Sequence, residues 1–186
     1  QIKEYLESVL CDHAGKKELP KSSTHEVALF ITSFLTGTIE TIETFCKTKA
    51  EKDGRFIKKE GDASGDYSLI YFVDGNIIQS SVALSFELNC FLGIASKILG
   101  KKVTEITNEG HKLAEDICKN IMTFSQKSLA EFDHLKVSDP LIVGGNKHEI
   151  KHLIKGSCLS FKIKTEFGFL FLELVVQKKT EQAKSA

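Results

Sequence analysis

The stretch Lys112–Gly144, KLAEDICKNIMTFSQKSLAEFDHLKVSDPLIVG, constrains the fold more than any other part of the chain. It reads as a helix that runs into a proline-marked strand. At about 100° per residue, Leu113, Ile117, Ile121 and Phe124 share one helix face, and Ala114 and Cys118 widen it. Asp116, Lys119 and Thr123 fall on the opposite, water-facing side, and Asn120 lies at the edge of the oily stripe. Such a helix must lie against another layer to bury its stripe. Its polar side sets an acid and two nitrogen-bearing side chains about one turn apart, where an acid and an amide can act together on one small target.

The hydrophobic period switches several times along the chain. Thr24 offers an N-cap, and Val27 to Cys46 predicts a long helix with Val27, Phe30, Ile31, Phe34, Leu35, Ile39, Ile42 and Phe45 near the 3.6 repeat. Gly37 is its weak spot. Tyr67–Val73 and Ile77–Phe86 alternate as strands do, with a hairpin signal at Asp74-Gly75-Asn76 between them. Leu88–Leu99 returns to helix and stops at Gly100. Glu109–Phe132 is the second long helix, followed by a strand over Val137–Val143 with Asp139-Pro140 at its opening and Gly144-Gly145 at its end. Cys158–Thr165 and Gly168–Gln177 predict two strands joined by a tight turn at Glu166-Phe167.

Residues 1–24 read as a peripheral segment in which Ile2, Leu6, Val9 and Leu10 make a short helix. Residues 25–177 form the domain, and 178–186, KKTEQAKSA, predict a disordered tail. Each half carries a long helix and then about three strands, so the element order suggests a pseudo-duplicated domain. Consecutive hairpins predict an antiparallel sheet with two long helices on one face, an α+β fold.

Bulk properties narrow the function classes. The 186 residues suit one domain with a core of its own, and 41% hydrophobic with 27% charged residues is ordinary for a globular protein. Lys and Arg number 25 against 25 acids, which gives no global electrostatic reason to expect nucleic acid or an anionic membrane. No apolar run approaches the roughly 20 residues of a membrane helix. The start, QIKEYLESVL, lacks the order of a signal peptide, and it lacks Met, as a piece of a longer chain would. The five cysteines, Cys11, Cys46, Cys90, Cys118 and Cys158, are odd in number and form no Cys-x-x-Cys, as expected of reduced thiols in a cytoplasmic protein.

Other constellations read as structural. The basic run 47–59 is interrupted by acids and predicts a solvated loop. His148 and His152 stand four apart, as metal ligands on a helix would, but GGNKHEIKHLIKG predicts a loop or strand with no third ligand, so no metal is expected. His13, His25, His111 and His134 read as surface residues. There is no G-x-S-x-G, P-loop or dinucleotide fingerprint.

Four segments together resemble a known family. ALFITSFLTGTIETI is similar to its first long helix. FVDGNIIQSSVALSFELNCFLGIASKILG follows its turn, strand and helix pattern. LAEDICKNIMTFSQKSL with VSDPLIVGG resembles its active helix and the strand after it, and TEFGFLFLELVV its closing hairpin. The family is that of the CheX-like chemotaxis phosphatases, relatives of CheC and of the flagellar switch protein FliM, and the resemblance spans residues 25–177. It implies an antiparallel α/β sandwich with two long helices across the sheet, often as a homodimer. It also implies removal of the phosphoryl group from the aspartate of a CheY-like response regulator. The family's Glu-x-x-Asn lies on the second long helix: the carboxylate engages a lysine of the regulator and the amide orients the attacking water. Mg²⁺ is then expected on the partner regulator, with no cofactor on this chain.

Glu-x-x-Asn is not kept where the resemblance expects it. If the apolar pattern and Leu129 set the register, the motif positions are Asp116 and Lys119. If the asparagine and Lys127 set it, they are Ile117 and Asn120. A residue that reaches into a partner should be exposed, which favours Asp116 and Lys119. An ammonium only donates hydrogen bonds, whereas an amide also accepts, so Lys119 could grip phosphoryl oxygens or simply pair with Asp116. Asp116 with Asn120 keeps an acid and an amide at altered spacing, and a misplacement of ~1 Å can cost about a hundredfold. The literal Glu105-Ile106-Thr107-Asn108 precedes the helix, where Asn108 suits an N-cap. Glu40 and Glu43 have one-turn spacing but no amide beside them. The resemblance, with the altered motif, therefore implies a domain that binds a phosphorylated CheY-like regulator with absent or weakened phosphatase activity. An active phosphatase using Asp116 and Asn120, or a non-catalytic dimerisation module, remain the alternatives.

Overall fold

The computed structural model describes residues 21–59, 62–130 and 133–179. The short helix predicted within 1–20 and most of the predicted tail lie outside them. Helix α1 (Lys21–Thr44) has 24 residues and begins ahead of the expected Thr24 cap. It buries Phe30, Phe34 and Ile42 completely. Gly37, the weak spot of the sequence, faces the second long helix: a Cβ there would lie 2.6 Å from Ser125 Oγ and 3.1 Å from the Ile121 carbonyl oxygen. The missing side chain is what lets the two helices approach.

The charged run after α1 is not a loop. Ala50–Lys58 is strand β1, paired antiparallel from Ala50↔Thr165 to Lys58↔Cys158. Its charges hid it from a hydrophobicity reading, because a strand at the margin of a sheet can carry charged side chains into solvent. Strands β2 (Tyr67–Asp74) and β3 (Ile78–Phe86) form the expected hairpin. Helix α2 (Leu88–Leu99) ends at Gly100, whose φ of 64° is the left-handed cap that glycine supplies. Helix α3 (Asn108–Leu129) has 22 residues, and its N-cap is Thr107, so Asn108 is its first helical residue and not the cap.

The strand expected over Val137–Val143 is broken in two, β4 (Lys136–Val137) and β5 (Leu141–Gly144), both on the free edge of β2. Pro140 has no N–H to donate, and Ser138 bridges the gap: Phe72 N donates to its Oγ at 3.0 Å, and its own N donates to Phe72 O at 2.9 Å. Strands β6 (Cys158–Thr165) and β7 (Gly168–Lys178) close the fold. Order continues past the predicted strand end at Gln177, since Lys179 N donates to Ile77 O at 2.8 Å.

The result is α+β. One antiparallel sheet runs β1-β6-β7-β3-β2-β4, with β5 also on β2. Counted from the long helix that precedes each set of strands, this order reads the same from both ends. Helices α1 and α3 pack on each other over the front of the sheet. There Phe30, Phe34, Ile117 and Ile121 meet Leu69, Tyr71, Val82, Leu84, Leu172 and Leu174 in one core. The strands alternate, so the back face carries buried Ser68, Ser81, Ser85, Ser160 and Glu173. Residues 145–157 cross that face, and Ile150 plugs a small patch with Ile70 and Ala83.

Candidate functional site

Helix α3 turns its polar side outward because its apolar stripe is consumed by the core: Ala114, Ile117 and Ile121 are fully buried, and Leu113 and Cys118 nearly so. The Asp116 and Lys119 side chains are 40% and 71% exposed, and Lys119 Nζ stands 3.7 Å from Asp116 Oδ1. That separation in solvent amounts to a weak ion pair, so both groups remain available to a partner. Asn120 is half-buried at the edge of the stripe. Its Nδ2 donates to Asp116 O at 2.8 Å, which folds the amide back along its own helix. Thr123 is exposed, and its hydroxyl donates to Lys119 O at 2.9 Å.

Beside this face runs a groove of about 370 Å³ between α3 and the broken edge strand. Glu115, Lys119, Met122 and Thr123 line one wall, and residues 137–140 the other. Glu115 was not singled out by the sequence reading. The only signal for it was its place one turn before Lys119; the opposing wall depends on where the Pro140 break sets the chain. Glu105 and Asn108, the literal motif, are exposed at the entry to α3, away from that groove, and Glu40 and Glu43 are exposed on α1.

The two histidines spaced four apart part company on the back face. His148 Nε2 lies 2.8 Å from Ser68 Oγ. His152 Nδ1 lies 3.0 Å from Ser81 Oγ, and its Nε2 lies 3.2 Å from Cys158 Sγ and 3.6 Å from Glu173 Oε2. Lys58 Nζ stands 3.0 Å from each Glu173 oxygen, and Ser64 Oγ donates to Oε1 at 3.0 Å. Burial pushes the Glu173 carboxyl up, but hydrogen bonds from His152, Lys58 and Ser64 together with the Lys58 charge hold it below its ordinary value. Burial, with help from the Glu173 charge, pushes the Cys158 thiol up to about 12. Burial likewise pushes Cys46 and Cys118 up to about 12 and Cys90 to about 11, so these thiols are protonated and unreactive as they stand. No helix among the described residues is long and apolar enough to cross a membrane.

No protein-family model matches the chain, and no curated protein matches it. Solved structures do. A chemotaxis protein CheX from Vibrio vulnificus superposes with a TM-score of 0.72 at 23% identity, over 80% of this chain and 99% of that one. A CheC-like superfamily protein from Shewanella sp. PV-4 gives a TM-score of 0.73 at 23% identity, over 80% and 97%. CheX from Borrelia burgdorferi, solved in complex with CheY, BeF3 and Mg²⁺, gives 0.61 at 15% identity, over 80% and 97%. The chain has the fold of the CheX- and CheC-like chemotaxis proteins.

Proposed function

We propose that this domain binds the phosphorylated receiver of a CheY-like response regulator through the outward side of α3, and that it hydrolyses the aspartyl phosphate weakly or not at all. Three things support the binding half: the fold, the four sequence segments that resemble the CheX-like family, and the CheX neighbour that was solved with CheY. One observation carries the catalytic half. Asp116 and Lys119 stand together in solvent, and the position one turn after the acid holds an ammonium in place of an amide. Lys119 can donate to phosphoryl oxygens but cannot accept a hydrogen bond from the attacking water. The amide nitrogen of Asn120 is committed to the backbone of its own helix. Mg²⁺ belongs to the regulator in this reading.

The test is the decay of a phosphorylated receiver with and without this protein, alongside its affinity for the beryllofluoride-loaded receiver. Binding with little acceleration is expected. Lys119→Asn restores an acid and an amide at i and i+3, and it is expected to raise the decay rate, by up to roughly the hundredfold that correct placement contributes. Absence of binding would sink the proposal. Brisk wild-type decay that Asn120→Ala abolishes would establish instead the phosphatase that uses Asp116 and Asn120.

The same reading places the domain in the cytoplasm, where receivers work. The palindromic strand order is what a duplicated unit of one helix and three strands would produce. For the homodimer that the resemblance implies, we assign the outer edge of β1, where Phe56 and Ile57 are 44% and 55% exposed. Light scattering that finds a constant monomer mass across micromolar concentrations would refute that assignment.

A further inference from the structure

Behind the sheet, away from α3, three side chains of ligating type converge from three separate places. His152 comes from the segment that crosses the back face, Cys158 from the start of β6, and Glu173 from the middle of β7. One ligand atom of each lies within 4.8 Å of the other two. His152 Nε2 is 3.2 Å from Cys158 Sγ and 3.6 Å from Glu173 Oε2. Two atoms bound to one tetrahedral zinc at ~2.0–2.3 Å lie about 3.3–3.6 Å from each other, so both distances from His152 are close to those of a ligand set, and small side-chain shifts bring the third pair, within 4.8 Å, into range. We propose that His152, Cys158 and Glu173 bind a thiophilic divalent metal ion, zinc above all.

The surroundings fit that role. Ser81 Oγ faces His152 Nδ1 and can accept its proton, so on metal binding the ring proton moves from Nε2, where it faces Glu173 in the metal-free protein, to Nδ1, and Nε2 turns its lone pair to the ion. Imidazole, thiolate and carboxylate together are a zinc or cobalt donor set, and three protein ligands leave the fourth position to water. The resident cation is Lys58, whose side chain is 6% exposed against 2% for Glu173. In that state the buried charge sums to zero: ammonium, carboxylate and neutral thiol. A divalent ion replaces the ammonium and the thiol proton together, and the sum is again zero. Lys58 lies on β1 at the end of the sheet, so moving its side chain disturbs no central strand. The bound ion would tie β6 and β7 to the segment 145–157, whose other anchors include Ile150 in its patch, His148 on Ser68 and Lys147 on Asp66.

The site shares no residue with the α3 face, so the two proposals fail separately. The experiment is a titration of the reduced full chain with Co²⁺, read by absorption, with far-UV circular dichroism as the check on folding. One equivalent is expected to raise a near-UV thiolate-to-cobalt charge-transfer band. Zinc should displace it and Cys158→Ser should abolish it while the helical signal stays. Lys58→Met removes the competing cation and is expected to tighten cobalt binding by several-fold. A folded protein that shows no such band at one equivalent overturns the proposal, and so does a band that survives Cys158→Ser. Unchanged or weaker binding in folded Lys58→Met overturns the exchange of lysine and proton for metal.

Discussion

The front and the back of this sheet are both buried, and they are buried by different means. In front, Phe30, Phe34, Phe86 and Phe91 lie at 0% exposure among leucines and isoleucines. Such groups gain stability from any apolar neighbour in proportion to the area covered. Behind, the buried residues are mostly small and polar, and each needs a particular partner. Ser68 and Ser85 hydrogen-bond at 2.7 Å, Ser81 Oγ accepts from Leu153 N at 3.1 Å, and Glu173 gathers Lys58, Ser64 and His152. Ser160 Oγ finds no hydrogen-bond partner among the described residues. The front tolerates exchange of one hydrophobe for another. The back depends on pairings between residues far apart in sequence, because an unpartnered polar group there costs free energy.

That contrast can be broken by substitution. Phe34→Ala is expected to destabilise by about 3–5 kcal/mol, through lost transfer energy and the cavity left behind. Glu173→Ala is expected to cost a similar ~3–5 kcal/mol for another reason: it strands the Lys58 ammonium in the interior. The two separate when the partner is also removed. Lys58→Met with Glu173→Leu is expected to be neutral or stabilising by about 1–4 kcal/mol, since two desolvated charges give way to packing. Urea unfolding of the single and double variants decides this. A double variant as unstable as Glu173→Ala would mean that the back face is held by more than its ion pair.

The front also buries polar groups, among them Ser33, Thr38 and Ser125, and another of them gives a smaller effect. Asp133, 6% exposed, accepts hydrogen bonds at the β2–β3 turn from Asn76 N at 2.6 Å, Ile77 N at 3.1 Å and Ile78 N at 3.2 Å. Gly75 gives it room, since a Cβ there would stand 2.1 Å from Asp133 Oδ2. Asp133→Ala is expected to cost about 1–3 kcal/mol by leaving these donors without an acceptor. Gly75→Ala is expected to push in the same direction. Equal stability of Asp133→Ala and the wild type would show that water replaces the carboxylate freely.

What the sequence made legible follows the same division. The front-face helices and the strands β2, β3, β6 and β7 were visible because an apolar stripe or alternation announces itself locally. The outward side of α3 could be placed from the helical repeat, because Ile117 and Ile121 set which side is buried. β1 was missed because its alternation is masked by Glu51, Lys52, Asp53 and Arg55. The break at Pro140 was read as one strand, and so the wall of the groove opposite Glu115 stayed hidden. The His152, Cys158 and Glu173 cluster was beyond reach: their separations in sequence match no repeat, and it takes both the pairing of β6 with β7 and the passage of residues 145–157 across the back face to bring them together.

Asp66 joins the two faces and gives the gentlest test of all. Its Oδ2 accepts from Leu88 N at 2.9 Å, at the start of α2. Its Oδ1 accepts from Lys147 N at 3.1 Å, in the segment that crosses the back face. The hydrogen bond from Leu88 holds the carboxyl below its ordinary value, burial opposes it, and the Lys147 hydrogen bond with the Lys147 and His148 charges adds to the lowering. A carboxyl depressed in the folded state binds fewer protons than in the unfolded chain. Its contribution is therefore present above the unfolded value of ~3.9 and is lost as pH falls from there through the folded value. Solvent reaches the group, so screening keeps the effect small. Asp66→Asn is expected to flatten the fall of stability below about pH 4, read as urea midpoints. Identical pH slopes in wild type and variant would mean that the capping of α2 and the tethering of the back-face segment do not depend on that charge.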